Sequence, residues 1–225
     1  MVFAFWEGKM PDYIKLCMKT WKFDYILLDY NSLKNYIELP ESVKRFTLPQ
    51  IADYIRVHLL RDYGGYWLDT DTIVLGLLPS QNIMGYPELR NQSIGYLKAD
   101  KPKTEFFTKW AEYQDRVVAD YNSSPKVWNI LGNAFTDEYV KEHTEISIAD
   151  IEKCWPETHM IGDSISRFQK YRKLYFETNY HLYDIDPTSM LMLHNSWTPE
   201  WYKYLSEEDV LSQKCTLSNI LKEAI

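Results

Sequence analysis

The chain has 225 residues, 45% of them hydrophobic and 25% charged, and a formal net charge of −7. That length can bury a sizeable core as one domain, and that composition excludes a disordered or fibrous chain. The acidic balance argues against a broad nucleic-acid surface, which needs clustered Lys and Arg; a single nucleotide diphosphate can still bind where a metal ion supplies the positive charge.

The predicted elements alternate. Val2 to Trp6 reads as a strand, Glu7-Gly8-Lys9 as a loop, and Met10 to Trp21 as a helix with Pro11 in its first turn. Tyr25 to Leu28 is a second strand, followed by a short helix through Tyr36 capped by Asn31-Ser32. The spacing of Ile51, Ile55 and Leu59 predicts a helix over Pro49 to Tyr63, ended by Gly64-Gly65. Tyr66 to Asp69 and Asp71 to Leu75 then read as extended segments flanking one loop.

Further on, Ile83 to Tyr86 and Ile94 to Leu97 read as strands, and Lys103 to Tyr121 and Lys126 to Val140 as helices separated by Pro125. Ile146 to Ile148 is a weak strand, Ile165 to Tyr175 a helix, Met190 to His194 a buried strand, and a terminal helix starts at Glu207. The βαβα opening favours an α/β fold with a largely parallel sheet flanked by helices. We read residues 1–225 as one domain, with a nucleotide-binding half over about 1–80 and an acceptor-side half over about 81–225.

Cys17, Cys154 and Cys215 are odd in number and form no CxxC pair, which fits a reduced, cytoplasmic setting. The apolar opening lacks the basic flank of a signal peptide, and no run of about 18 apolar residues offers a transmembrane helix. Any membrane association would be peripheral, at the inner face.

The most informative segment is Leu68-Asp69-Thr70-Asp71-Thr72. Two carboxylates at i and i+2 on an extended backbone point to one side, and their hard oxygens select Mn2+ or Mg2+. Asp69 also ends an apolar and aromatic run, where an uncompensated buried carboxylate costs several kcal/mol, so a cation there relieves a real penalty. His194 follows the apolar Met190 to Leu193 and precedes Asn195-Ser196-Trp197, a cluster rich in groups that can ligate a metal or donate to phosphate.

Gln50-Ile-Ala-Asp53-Tyr-Ile-Arg56, then Leu60 through Tyr63-Gly64-Gly65-Tyr-Trp-Leu-Asp69-Thr-Asp71, resembles the signature of DxD sugar transferases. With Phe3-Ala-Phe-Trp6-Glu-Gly8-Lys9 and His194-Asn195-Ser196-Trp197, about a third of the chain resembles the capsular polysaccharide synthesis glycosyltransferases, related to glycosyltransferase family 32 and more distantly to the clostridial glucosylating toxins. The resemblance implies the A-type glycosyltransferase fold, with a Rossmann-like sheet, and a nucleotide-sugar donor of the UDP-sugar class. It implies that Asp53, Arg56, Asp69 and Asp71 are catalytic, with Asp53 and Arg56 facing the donor sugar. It assigns the metal to Asp71 and His194. Donor binding falls to Phe5, Trp6, Gly8, Asp53, Arg56, Gly65, Leu68, Asp69, Thr70, Asn195, Ser196 and Trp197.

The reaction so implied is metal-dependent transfer of a hexose to a hydroxyl of a glycan or glycolipid, with retention at the anomeric carbon. Two rival readings are a non-catalytic carbohydrate- or nucleotide-binding relative and a metal-dependent phosphohydrolase. The segments Pro79 to Gln92 and Ser123 to Asn133 are the expected determinants of donor and acceptor.

Overall fold

The computed structural model describes residues 1–86, 91–122, 127–187 and 189–225. In chain order its strands are β1 (Val2–Phe5), β2 (Ile26–Leu28), β3 (Gly65–Leu68), β4 (Thr72–Val74), β5 (Ile83–Tyr86), β6 (Asn91–Ala99), β7 (Ile148–Asp150) and β8 (Met190–Met192). The helices of the first two thirds are α1 (Asp12–Lys19), α2 (Tyr30–Leu33), α3 (Leu48–Tyr63), α4 (Glu105–Ala119) and α5 (Asn133–Glu142). Then come α6 (Glu157–Met160), α7 (Arg167–Arg172), α8 (Leu182–Ile185), α9 (Glu200–Lys203), α10 (Glu207–Ser212) and α11 (Thr216–Ala224). The chain divides into two compact units: unit 1 is Met1–Glu7, Asp24–Leu68 and Ser80–Asp150, and unit 2 is Gly8–Phe23, Asp69–Pro79 and Ile151–Ile225.

Unit 1 is a helix-flanked sheet of six strands in the order β2-β1-β3-β6-β5-β7. The pairs β1–β2, β1–β3 and β5–β7 are parallel, whereas β3–β6 and β5–β6 are antiparallel. The sheet is therefore mixed. The physical reason lies in connection length: β1 reaches β2 through α1, long enough for a crossover, while β5 ends at Tyr86 and β6 begins at Asn91, a separation that suits only an antiparallel return.

Helix α3 starts at a capping box in which the Thr47 backbone N–H donates to Gln50 Oε1 at 3.1 Å, with Pro49 in the first turn. It ends at Gly64 in a positive-φ conformation. Ile51, Ile55, Leu59 and Leu60 bury one side of it, and Tyr54, Val57 and His58 bury others, so α3 runs through the core rather than along its surface. Phe3, Trp67, Leu97, Phe107 and Trp110 join it there.

Gly65 opens β3 at φ +88, and a Cβ would collide with the Met1 carbonyl oxygen, to which Tyr66 donates its N–H at 2.9 Å. Glycine is required by both the backbone angle and the closeness of the neighbouring strand.

Unit 2 carries the antiparallel pair β4–β8, with Ile73 opposite Leu191. The residues that follow α1 tie it to β4 at two points: Thr20 Oγ1 accepts from the Val74 N–H and Trp21 Nε1 donates to the Thr72 carbonyl, both at 2.8 Å. Tyr13, Cys17, Tyr171, Tyr175, Tyr202, Leu217 and Ile220 are buried around this pair. All three cysteines are buried thiols.

Several predicted boundaries move. The cap of α2 is Asp29, whose Oδ1 accepts from Asn31 and Ser32 backbone N–H groups at 3.0 and 2.8 Å, while Ser32 completes the capping box. Pro11 stands at the N-cap of α1 rather than inside it. Helix α5 starts only at Asn133, because Gly132 adopts a non-helical φ of −110 and ψ of −116. The weak strand near Ile146 forms two residues later, as β7.

The helix predicted over Ile165 to Tyr175 is α7 continued by a π-helical turn at Lys173–Glu177. The terminal helix is two helices, interrupted where Gln213 turns extended. Residues 87–90 and 123–126, which include Pro125, Lys126 and parts of both expected specificity segments, lie outside the described residues.

Candidate functional site

In unit 1, Phe5 ends β1 and Leu68 ends β3, both buried. Trp6 continues from β1 by donating its N–H to the Leu28 carbonyl at 2.9 Å. Asp53 and Arg56 lie on α3 with only 6% and 5% of their surfaces exposed, joined by an ion pair of 3.1 Å. The i, i+3 spacing makes them neighbours on the helix, but in the core rather than at its surface.

Four further residues surround that pair. Arg56 donates from Nη1 to the Ile94 carbonyl and lies 5.0 Å from the Trp67 ring centre. Gln114 donates to the Asp53 carbonyl at 2.9 Å. Gly132 closes over the carboxylate: a Cβ there would stand 2.8 Å from Asp53 Oδ2 and 2.6 Å from Ile94 Cδ1.

In unit 2, Asp69, Thr70 and Asp71 form a turn, closed by the Thr72 N–H donating to the Asp69 carbonyl at 3.1 Å. The expected extended backbone is therefore corrected. A turn places its carboxylates by turn geometry, not by the alternation of a strand.

Asp71 then meets the exit of β8 twice. Its carbonyl accepts from the Leu193 N–H at 3.1 Å, and its Oδ2 accepts from the Asn195 N–H at 2.8 Å. The two motifs, 124 residues apart in sequence, are thus brought into contact.

The His194–Trp197 turn is clamped from several sides. Tyr13 donates its hydroxyl to Asn195 Oδ1 at 2.5 Å, which orients the amide. The His194 N–H donates to the Tyr171 hydroxyl at 3.3 Å, and the Trp197 N–H returns to the His194 carbonyl at 2.9 Å. Thr70 is buried, Ser196 is exposed, and Gly8 takes a positive φ of 86. Burial, with the Asp71 carboxylate nearby, pushes the Tyr13 phenol and the Cys17 thiol well up, so both stay protonated at neutral pH.

Three residues that the sequence reading passed over complete this region. Arg167 Nη2 donates to His194 Nε2 at 2.9 Å and to Glu157 Oε1 at 3.2 Å, with Nε adding a contact to the same oxygen at 3.3 Å. The Arg167 guanidinium carbon sits 3.6 Å from the Trp155 ring centre and 5.4 Å from that of Trp197. Arginine has no acceptor, so His194 accepts through Nε2 and carries its proton on Nδ1. Burial and then the Arg167 charge hold the imidazole down to about 3.

Glu157 is wholly buried; burial raises its carboxyl above the usual range against the opposing pull of Arg167. The available signals were weak. Ser166-Arg167-Phe168-Gln169 reads as an ordinary capping box, which α7 indeed uses.

Among the described residues no three His, Cys, Asp or Glu side chains converge to hold a metal, and no helix is long and apolar enough to cross a membrane.

A search of curated proteins found no match. A family model described as capsular polysaccharide synthesis protein matches residues 2–185, a span that includes Asp53, Asp69, Asp71, Glu157 and Arg167. With four fifths of its length inside that match, this chain belongs to the capsular polysaccharide synthesis protein family.

Proposed function

We propose that the chain is a divalent-metal-dependent glycosyltransferase of the A-type fold, moving a sugar from a nucleoside diphosphate sugar, expected to be a UDP-sugar, to a hydroxyl of a glycan or glycolipid. The observation that carries this reading is the bond between Asp71 Oδ2 and the Asn195 N–H. It unites the acidic turn with the His194–Trp197 turn, the two blocks to which the resemblance gives metal and diphosphate.

The donor set fits Mn2+ or Mg2+. Asp69 and Asp71 offer hard carboxylate oxygens, and with no third such side chain converging among the described residues, diphosphate oxygens and water would complete the shell. A cation so held supplies positive charge against the charge that develops on the departing diphosphate. Asn195 fixes the Asp71 carboxylate, and Tyr13 fixes Asn195 in turn. Ser196 and Trp197 carry hydroxyl and indole donors suited to phosphate oxygens.

For His194 we favour a role other than metal ligation. Its Nε2 lone pair is engaged by Arg167 and its Nδ1 carries the proton, so the ring orients the arginine. For Asp53 and Arg56 we propose that the buried ion pair shapes the α3–β6 region of unit 1 and that any effect on the donor sugar is exerted through that shape. Buried thiols suit a cytoplasmic reaction at the inner membrane face. Retention at the anomeric carbon is part of the proposal, to be read from the product by NMR.

Isothermal titration of UDP and GDP, with and without manganese, tests the reading. Metal-dependent binding of one of them supports it; equal indifference to both nucleotides in the presence of metal removes it.

A further inference from the structure

We infer that Arg167 is an anion-binding residue that takes an oxygen of the donor diphosphate through its Nη1 edge, an inference that rests on the nucleotide-sugar reading above. The guanidinium has five N–H donors in one plane. Nε and Nη2 are used on Glu157 and His194, while Nη1 makes no hydrogen bond among the described residues. The guanidinium carbon also lies over the Trp155 ring, 3.6 Å from its centre, with the Trp197 ring centre 5.4 Å away. What remains is an in-plane edge with two N–H groups.

The contrast in burial points the same way. The Arg167 side chain is 34% exposed, whereas its counterion Glu157 is 0% exposed. A purely structural pair in a core would bury both partners; here the carboxylate anchors one edge from inside and the other edge reaches outward.

Location selects the ligand. His194, bonded to Arg167, directly precedes Asn195, whose N–H holds Asp71. An edge-on guanidinium beside a carboxylate turn matches a phosphate group that also needs a cation, because planar N–H forks bind phosphate oxygens with both charge and direction. The bonds to Glu157 and His194 and the contact with the Trp155 ring already hold the guanidinium in place, so little rotamer freedom is lost on binding.

The test compares wild type with Arg167→Gln and Arg167→Lys, using three probes in manganese buffer: UDP, inorganic pyrophosphate and uridine. A hydrogen bond to a charged group corresponds to an affinity loss of about tenfold to a hundredfold. The expected result is that loss for UDP and pyrophosphate in Arg167→Gln, with uridine affinity unchanged. Arg167→Lys, which keeps the charge opposite Glu157 and so protects folding, should show a smaller loss of the same selectivity.

Wild-type affinity for UDP and pyrophosphate in both variants would overturn the inference and leave the nucleotide-sugar reading standing. Equal losses for uridine and UDP would overturn it as well, because a structural defect is blind to phosphate. A wild-type protein that binds neither UDP, GDP nor pyrophosphate with manganese would remove both.

Discussion

Asp53→Asn is the perturbation whose cost is best defined. The substitution keeps size and shape but removes the negative charge 3.1 Å from Arg56 Nη2, in a place where Arg56 is 5% exposed. Removing one partner of a buried ion pair typically costs about 3–5 kcal/mol, because the remaining charge stays desolvated. Arg56 keeps its bond to the Ile94 carbonyl and its place near the Trp67 ring, so the lower figure, about 3 kcal/mol, applies. At about 2–4 °C per kcal/mol for a chain of this size, the melting temperature should drop by about 6–12 °C.

Thermal and urea melts followed by circular dichroism measure this loss. An Asp53→Leu, Arg56→Met double variant provides the control: with both charges gone, much of the stability should return. A loss below about 1 kcal/mol in Asp53→Asn, or a double variant less stable than the single one, would refute the argument that this pair is held by charge in a dry environment.

Asp71→Asn should lower metal-dependent turnover about a thousandfold, equivalent to about 4 kcal/mol, while the melting temperature stays near wild type because an amide oxygen still accepts the Asn195 N–H. Turnover assayed over a manganese titration checks it. Gly132→Ala should cost about 1–3 kcal/mol in urea melts, since the new methyl would lie 2.6 Å from Ile94 Cδ1 and 2.8 Å from Asp53 Oδ2.

His58 is stacked on Tyr54 with ring centres 3.9 Å apart, and burial holds its imidazole down to about 4, against the opposing pull of Asp115. The folded state thus favours neutral His58. Its contribution is present above pH 6.5 and is lost as pH falls toward 4. Melting temperatures of wild type should fall more steeply across that window than those of His58→Gln.

Periodicity located β1, α3, β3 and β5 within a residue or two, because those segments bury continuous apolar runs or one recurrent face and end at glycine or a turn. It failed where a boundary depends on a single polar side chain, as at Asp29, whose carboxylate outcompetes Asn31 as the cap of α2. It also misread α5, whose apolar spacing continues back through Gly132 although the backbone there cannot be helical. Strand direction depended on connection length, so β6 broke the parallel expectation.

By itself the sequence determined the α/β class, the family resemblance and the acidic pair Asp69 and Asp71, because these reside in local spacing and in contiguous motifs. Only the tertiary structure decided that Asp71 binds the Asn195 amide, that Asp53 and Arg56 are buried, and that Arg167 meets the Trp155 ring and the buried Glu157 carboxylate. Each of those facts depends on separate elements of the chain meeting in space, and at the buried charges, Asp53, Arg56 and Glu157, one missing partner costs more than any local preference can supply. No spacing rule records such a meeting, and so Arg167, inside an ordinary helix start, carried no mark of its surroundings.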